Sequence, residues 1–213
     1  MSYLLAYPDL VLGMIADHLV ITLSALGIAL VIALPLGWFL FYHPRVADWV
    51  LGILGVLYTI PSIALMIFLI PLFGLNAQVV VAALVIYCQI VLVRNVLTGL
   101  KAIDPTVTEA ALGMGMNRWQ LAWRVQLPLA LPVILAGVRI AAVVSLAIAS
   151  LGPKFGAGGL GTLLFDGVAE QRTDKIALGA ALVAVLALII NYGLLAVESR
   201  LISRWRVAAQ HGT

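Results

Sequence analysis

The sequence predicts an all-α integral membrane protein: one transmembrane domain of five spans, covering residues 1–213, with a single long polar loop between the third and fourth spans. Three observations predict it. The chain is 64% hydrophobic and 10% charged, with a mean hydropathy of +1.16. A soluble domain carries roughly 25% charged residues, so this chain lacks the polar surface to cover itself in water. From Trp49 to Val93, 45 consecutive residues contain no Asp, Glu, Lys or Arg. One crossing takes about 20 apolar residues, so that run holds two spans, divided at the turn-forming Gly74-Leu75-Asn76. Finally, the basic residues lie around the span ends rather than on one face, which fits a membrane protein and excludes a nucleic-acid partner.

The spans are expected at about 15–41, 48–73, 77–100, 129–152 and 175–199. The first and last are the clearest, with charge-free runs Leu19–Tyr42 and Ile176–Val197. The fourth contains Arg139, but a basic loop precedes it and an acidic one follows. The N-terminal stretch has no basic segment and carries Asp9 and Asp17, so no cleaved leader is expected. Five spans place the termini on opposite sides. With the C-terminus in the cytoplasm, the inner segments hold Arg45, Arg94, Lys101, Arg118, Arg124, Arg200, Arg204 and Arg206, against Lys154, Arg172 and Lys175 outside. This eight-to-three division puts the N-terminus outside and the loop of residues 101–128 inside.

Local signals divide that loop into two short helices. Asp104-Pro105 is an N-cap followed by proline at the first helical position, where its missing N–H costs nothing. A helix can run through Glu109-Ala110-Ala111 to Met114, and Gly115 supplies a turn at positive φ. Asn117-Arg118-Trp119-Gln120 has the form of a capping box. The second helix is expected to end near Gln126, with Pro128 and Pro132 punctuating the start of the fourth span. Two capped helices meeting at a glycine make a knob that a partner protein can approach. The same pattern suits an amphipathic loop lying on the bilayer, with Trp119 and Trp123 as interfacial anchors.

Glu109-Ala110-Ala111, three residues, Gly115, nine residues and Val125-Gln126-Leu127-Pro128 resemble the EAA loop of ABC importer permeases, E-A-A-x3-G-x9-I-x-L-P, with valine in the isoleucine place. The stretches YTIPSIAL at 58–65, VRNVLTGL at 93–100 and GAGGLGTLLF at 156–165 are similar to the osmoprotectant branch, which imports glycine betaine, choline and carnitine. The resemblance implies a type I importer permease fold. It also implies that the loop holds a coupling helix docking on a cytoplasmic ATP-binding subunit. Carried over by residue, the ATPase-coupling set is Glu109, Ala110, Ala111, Gly115, Met116, Asn117, Trp119, Leu127 and Pro128. The implied partners are two ATP-binding subunits, a second permease copy or paralogue and a separate extracytoplasmic binding protein, in a bacterial or archaeal plasma (inner) membrane. No cofactor is expected in this chain, because ATP and magnesium would bind the partner subunit; the chain has no Walker A motif and is expected to be non-catalytic. Methionine or phosphonate permeases share five spans and GAGGLG, and a secondary transporter is the alternative of another class. Five spans without an inverted repeat argue against the latter.

Other features carry two readings each. Pro61 interrupts the second span and frees a carbonyl that a neighbouring helix or a water-lined cavity must satisfy. Tyr58, Thr59, Pro61 and Ser62, with Tyr87, Arg94 and Asn95 on the third span, are therefore candidates to line the translocation pathway, while a simple packing kink at Pro61 is equally consistent. Arg94 is expected to pair in the interior or at an interface, against snorkelling to head groups; Arg139 remains open between the two. Gly156, Gly158, Gly159 and Gly161 match a dinucleotide fingerprint literally but follow an apolar span rather than a strand. They read as a packing loop between the fourth and fifth spans near the outer gate, over direct substrate contact. His18, His43 and His211 are scattered, and Cys88 is the lone cysteine, so neither a metal site nor a disulfide is expected.

Overall fold

The computed structural model describes the backbone of residues 2–210 and the side chains of residues 3–201. His211 lies outside the described residues, as do the side chains of Arg204 and Arg206. Every regular element described is helical: α1 (Ser2–Ala6), α2 (Pro8–Phe41), α3 (Pro44–Thr59), α4 (Ser62–Phe73), α5 (Ala77–Lys101), α6 (Pro105–Gly113), α7 (Arg118–Leu121), a π-turn (Ala122–Gln126), α8 (Leu127–Ala149), a 3-10 turn (Gly152–Phe155), α9 (Gly161–Ala169) and α10 (Thr173–Gln210).

The central helix is α5. It is buried along its length from Val79 to Leu100, and α2, α3, α4 and α8 all pack on it. Helices in lipid gain little from burying apolar surface, so close approach through small residues has to hold them together. The helices meet in that way. A Cβ at Gly37 of α2 would sit 2.6 Å from Val96 Cγ1 on α5, and one at Gly137 of α8 would sit 2.5 Å from Asn95 Cβ. Ala25, Ala29 and Ala33 extend the close face of α2. Outside this triad, α10 packs on α8 and α9 and leaves Val185, Leu188, Ile189 and Tyr192 exposed. Short α1 lies at its N-terminal end, where the Tyr3 ring sits 4.8 Å from Lys175 Nζ, itself paired with Glu170.

Three spans differ from the sequence expectation. The segment expected as one span over 48–73 is two helices, α3 and α4, meeting at 101°. Ile60 is extended at the junction, with ψ 129, because a residue before proline is driven out of the helical region. The fourth span starts earlier than residue 129: an apolar helical run extends without a break from Arg118 to Ala149, straight through Pro128 and Pro132. The π-turn explains the continuity at Pro128. The Leu127 N–H reaches back five residues to Ala122 O, and the widened turn accommodates a proline that would otherwise clash with the preceding turn. The first span likewise starts at Pro8 rather than near residue 15. Its 34 residues are about 51 Å long, more than the bilayer core requires.

Candidate coupling and translocation site

The loop after α5 is built by local hydrogen bonds. Asp104 Oδ1 accepts from the Thr106 backbone N–H at 2.9 Å and from its hydroxyl at 2.8 Å. Those two donors hold the Asp104 carboxyl below the usual carboxylate range, so the cap is charged and starts α6 behind Pro105. At the other end the Gly115 N–H bonds Leu112 O at 2.9 Å and the Met116 N–H bonds Ala111 O at 3.2 Å, with Gly115 at φ 84. That pair of bonds is a Schellman motif, which requires a left-handed residue at the position Gly115 fills. Asn117 and Gln120 then close the expected capping box, with bonds of 2.8 and 2.9 Å.

The result is an exposed knob. Glu109 and Ala110 are exposed, and Glu109 makes no ion pair among the described side chains. Met114 is 73% and Trp119 71% exposed, and the Trp119 and Trp123 rings lie 5.4 Å apart. Ala111 is buried beneath, Met116 is half-buried and Asn117 is exposed at its cap. Leu127 and Pro128 are half-buried in the first turn of α8, so they join the knob to the span and are not part of its exposed surface. Sequence reasoning missed Gln126. It is buried, and its Oε1 accepts from the Tyr42 hydroxyl at 3.2 Å.

At the α3–α4 bend, the Ile60 carbonyl accepts a short hydrogen bond from the Tyr87 hydroxyl. The Tyr58 and Tyr87 rings meet edge-on at 5.7 Å. Tyr58, Thr59 and Pro61 are exposed and Ser62 is half-buried; the Thr59 hydroxyl donates to Val56 O at 2.7 Å. Irregular backbone at membrane depth is tolerated where it is buried in protein or lines a water-filled cavity. Arg94 and Asn95 do not join this group, being about two turns further along α5. Arg94 is exposed, and the ion pairs among the described side chains are Arg172–Asp174 and Lys175–Glu170, so its expected interior or interface pairing is not made among them. Asn95 turns its amide onto Val91 O at 2.8 Å and packs against Gly137. Arg139 is half-buried.

The glycine loop packs on more of the fold than its chain neighbours. Gly156, Gly158 and Gly159 have positive φ, and this part of the loop packs on α2 and on the α4–α5 turn, while Gly161 packs on the end of α8. Cβ atoms at Gly158 and Gly159 would meet Asp17 Oδ2 at 2.9 Å and His18 Nδ1 at 3.1 Å, and one at Gly156 would meet Leu75 O at 3.1 Å. A Cβ at Gly161 would overlap the Ser150 carbonyl. His18 is fully buried there, with Nε2 3.1 Å from Leu146 O.

Residues 6–207 match the family of binding-protein-dependent transport system inner membrane components. The chain belongs to this family of transport permeases. Among its relatives, the carnitine transport permease protein OpuCB of Listeria monocytogenes is 40% identical over 87% of this chain and 85% of its own length. The glycine betaine/carnitine/choline permease OpuCB of Bacillus subtilis is 35% identical over 86% and 85%. The osmoprotectant import permease OsmW of Salmonella typhimurium is 35% identical over 89% and 91%. The permease fold is also that of the inward-facing MetNI methionine ABC transporter, with a TM-score of 0.82, 22% identity and coverage of 90% of this chain and 96% of that one. This binding-protein-dependent permease therefore has the type I ABC importer architecture, built from several membrane-crossing helices.

Proposed function

We propose that this permease is the non-catalytic membrane subunit of an ATP-driven importer of osmoprotectants, quaternary-ammonium compounds such as glycine betaine, choline and carnitine. The observation that carries the reading is the knob of residues 104–126. Its caps, Schellman turn and capping box are all formed, and its surface exposes Glu109 together with the side chains of Met114 and Trp119. The substrate class follows the relatives, whose names specify osmoprotectants at 35–40% identity over most of both chains.

In this reading the knob docks on a cytoplasmic ATP-binding subunit through Glu109, Ala110, Met114 and Trp119, with one such subunit for each of two permease copies or paralogues. ATP and magnesium bind those subunits and not this chain. A separate extracytoplasmic protein delivers the substrate, and the bend at Tyr58, Thr59, Pro61 and Ser62, held by Tyr87, lines the pathway. The membrane is the inner membrane of a bacterium or archaeon, with the N-terminus outside and the C-terminus in the cytoplasm. Reconstitution with cognate ATP-binding and binding-protein subunits tests the proposal. Uptake of labelled glycine betaine, choline or carnitine driven by ATP supports it. Uptake of methionine alone, or uptake driven by an ion gradient without ATP, overturns it.

A further inference from the structure

The first span is tied to the coupling knob. Gln126 closes the π-turn between α7 and α8; it is 3% exposed, and its side-chain oxygen takes the Tyr42 hydroxyl at 3.2 Å. Tyr42 caps the C-terminal end of α2, 84 residues away in sequence. A π-turn carries one extra residue and costs hydrogen-bond geometry, so its retention beside a buried amide marks a position with a task. The same turn would exist to accommodate Pro128 without any contact to α2, and the Tyr42 bond is what goes beyond that need.

The three helices beyond this bond are meshed closely enough to move together. Gly37 leaves α2 against Val96 of α5, and Gly137 leaves α8 against Asn95 of α5, both at distances that admit no added Cβ without a shift. Packed helices of this kind are bistable rather than continuously deformable, so a displacement applied at one end is passed on. α8 also packs directly on α2, as where His18 Nε2 lies 3.1 Å from Leu146 O, but that bond is about 20 residues along α8 from the knob. The Tyr42–Gln126 bond supplies a direct second connection at the knob itself.

We propose that Gln126 is a positioning residue for energy coupling: by holding Tyr42, it makes the knob, α8 and α2 respond as one body when the ATP-binding subunit moves. The inference rests on the permease reading above. Its test is the assembled transporter in proteoliposomes, comparing wild type with Tyr42→Phe, Gln126→Met and the double variant. The readouts are the amount of complex, the ratio of binding-protein-stimulated to basal ATPase and the uptake per ATP hydrolysed.

Wild-type stimulation tests the permease reading itself, and the variants test only the link. Each single variant is expected to assemble normally and to lower the stimulation ratio and the uptake per ATP by roughly threefold to tenfold, the range of one neutral hydrogen bond. The double variant should lose no more than the worse single, because both remove the same bond. A stimulation ratio within about twofold of wild type in both singles, additive losses in the double, or a loss that only follows the amount of complex would overturn the proposal.

Discussion

The Tyr87 hydroxyl of α5 donates to the Ile60 carbonyl at the junction of α3 and α4. Pro61 has no N–H and prevents helical continuation at Ile60, so the bend needs an acceptor-satisfying group from another helix, and Tyr87 brings it from 27 residues away. The side chain that fills the gap also packs edge-on against Tyr58, so one residue both holds the bend and orders an aromatic of the proposed pathway.

Tyr87→Phe keeps the ring packing and removes that donor. Leaving a carbonyl unsatisfied away from water costs about 1–3 kcal/mol. The purified variant should melt at a lower temperature in detergent, and uptake should fall more than protein amount does. An unchanged melting temperature would show that the bend is held by packing alone.

Glu109→Ala tests the knob. Removing a charge hydrogen-bonded at a buried interface costs about 2–5 kcal/mol, which weakens association by roughly 30-fold or more. The variant should reach the membrane in normal amount and lose most binding-protein-stimulated ATPase. If stimulated ATPase and uptake stay within about twofold of wild type, Glu109 is not an interface residue.

At Gly115 the φ of 84 makes the expected order of variants specific. Valine in that region is strained by both its Cβ and its branching, whereas asparagine tolerates it. Gly115→Val should therefore uncouple transport or release the ATP-binding subunit, while Gly115→Asn retains most uptake and membrane insertion is normal for both. Because no atom lies within 4 Å of a Cβ built there, crowding within the chain does not compete with this explanation. Equal uptake by the two variants would remove the turn from the argument.

Topology is checked with single cysteines in a Cys88→Ala background. A cysteine at Asn76, in the exposed α4–α5 turn, should react with an impermeant reagent on intact cells. One at Asn117, exposed at the capping box, should react only after permeabilisation. The reverse pattern would invert the proposed orientation.

The sequence by itself determined the helical membrane class and the interior of the knob. The Asp104 cap, the Gly115 turn and the Asn117–Gln120 box are all closed by bonds between residues no more than five apart, and such bonds depend on residue type and spacing alone. Tertiary structure decided the rest. Pro61 announced an interruption, but not the 101° angle between the two helices, nor the Tyr87 hydroxyl that reaches the Ile60 carbonyl from another helix. Pro128 and Pro132 read as a boundary, yet the π-turn carries the helix past Pro128, with Gln126 buried against Tyr42. The glycine loop read as a packing loop between the fourth and fifth spans, and its contact with His18 of the first span was not foreseen. In each case a partner tens of residues away takes part, up to the 141 between Gly159 and His18. Close backbone approach and the satisfaction of a freed carbonyl are properties of the packed helices, and local sequence patterns do not encode which distant side chain will supply them.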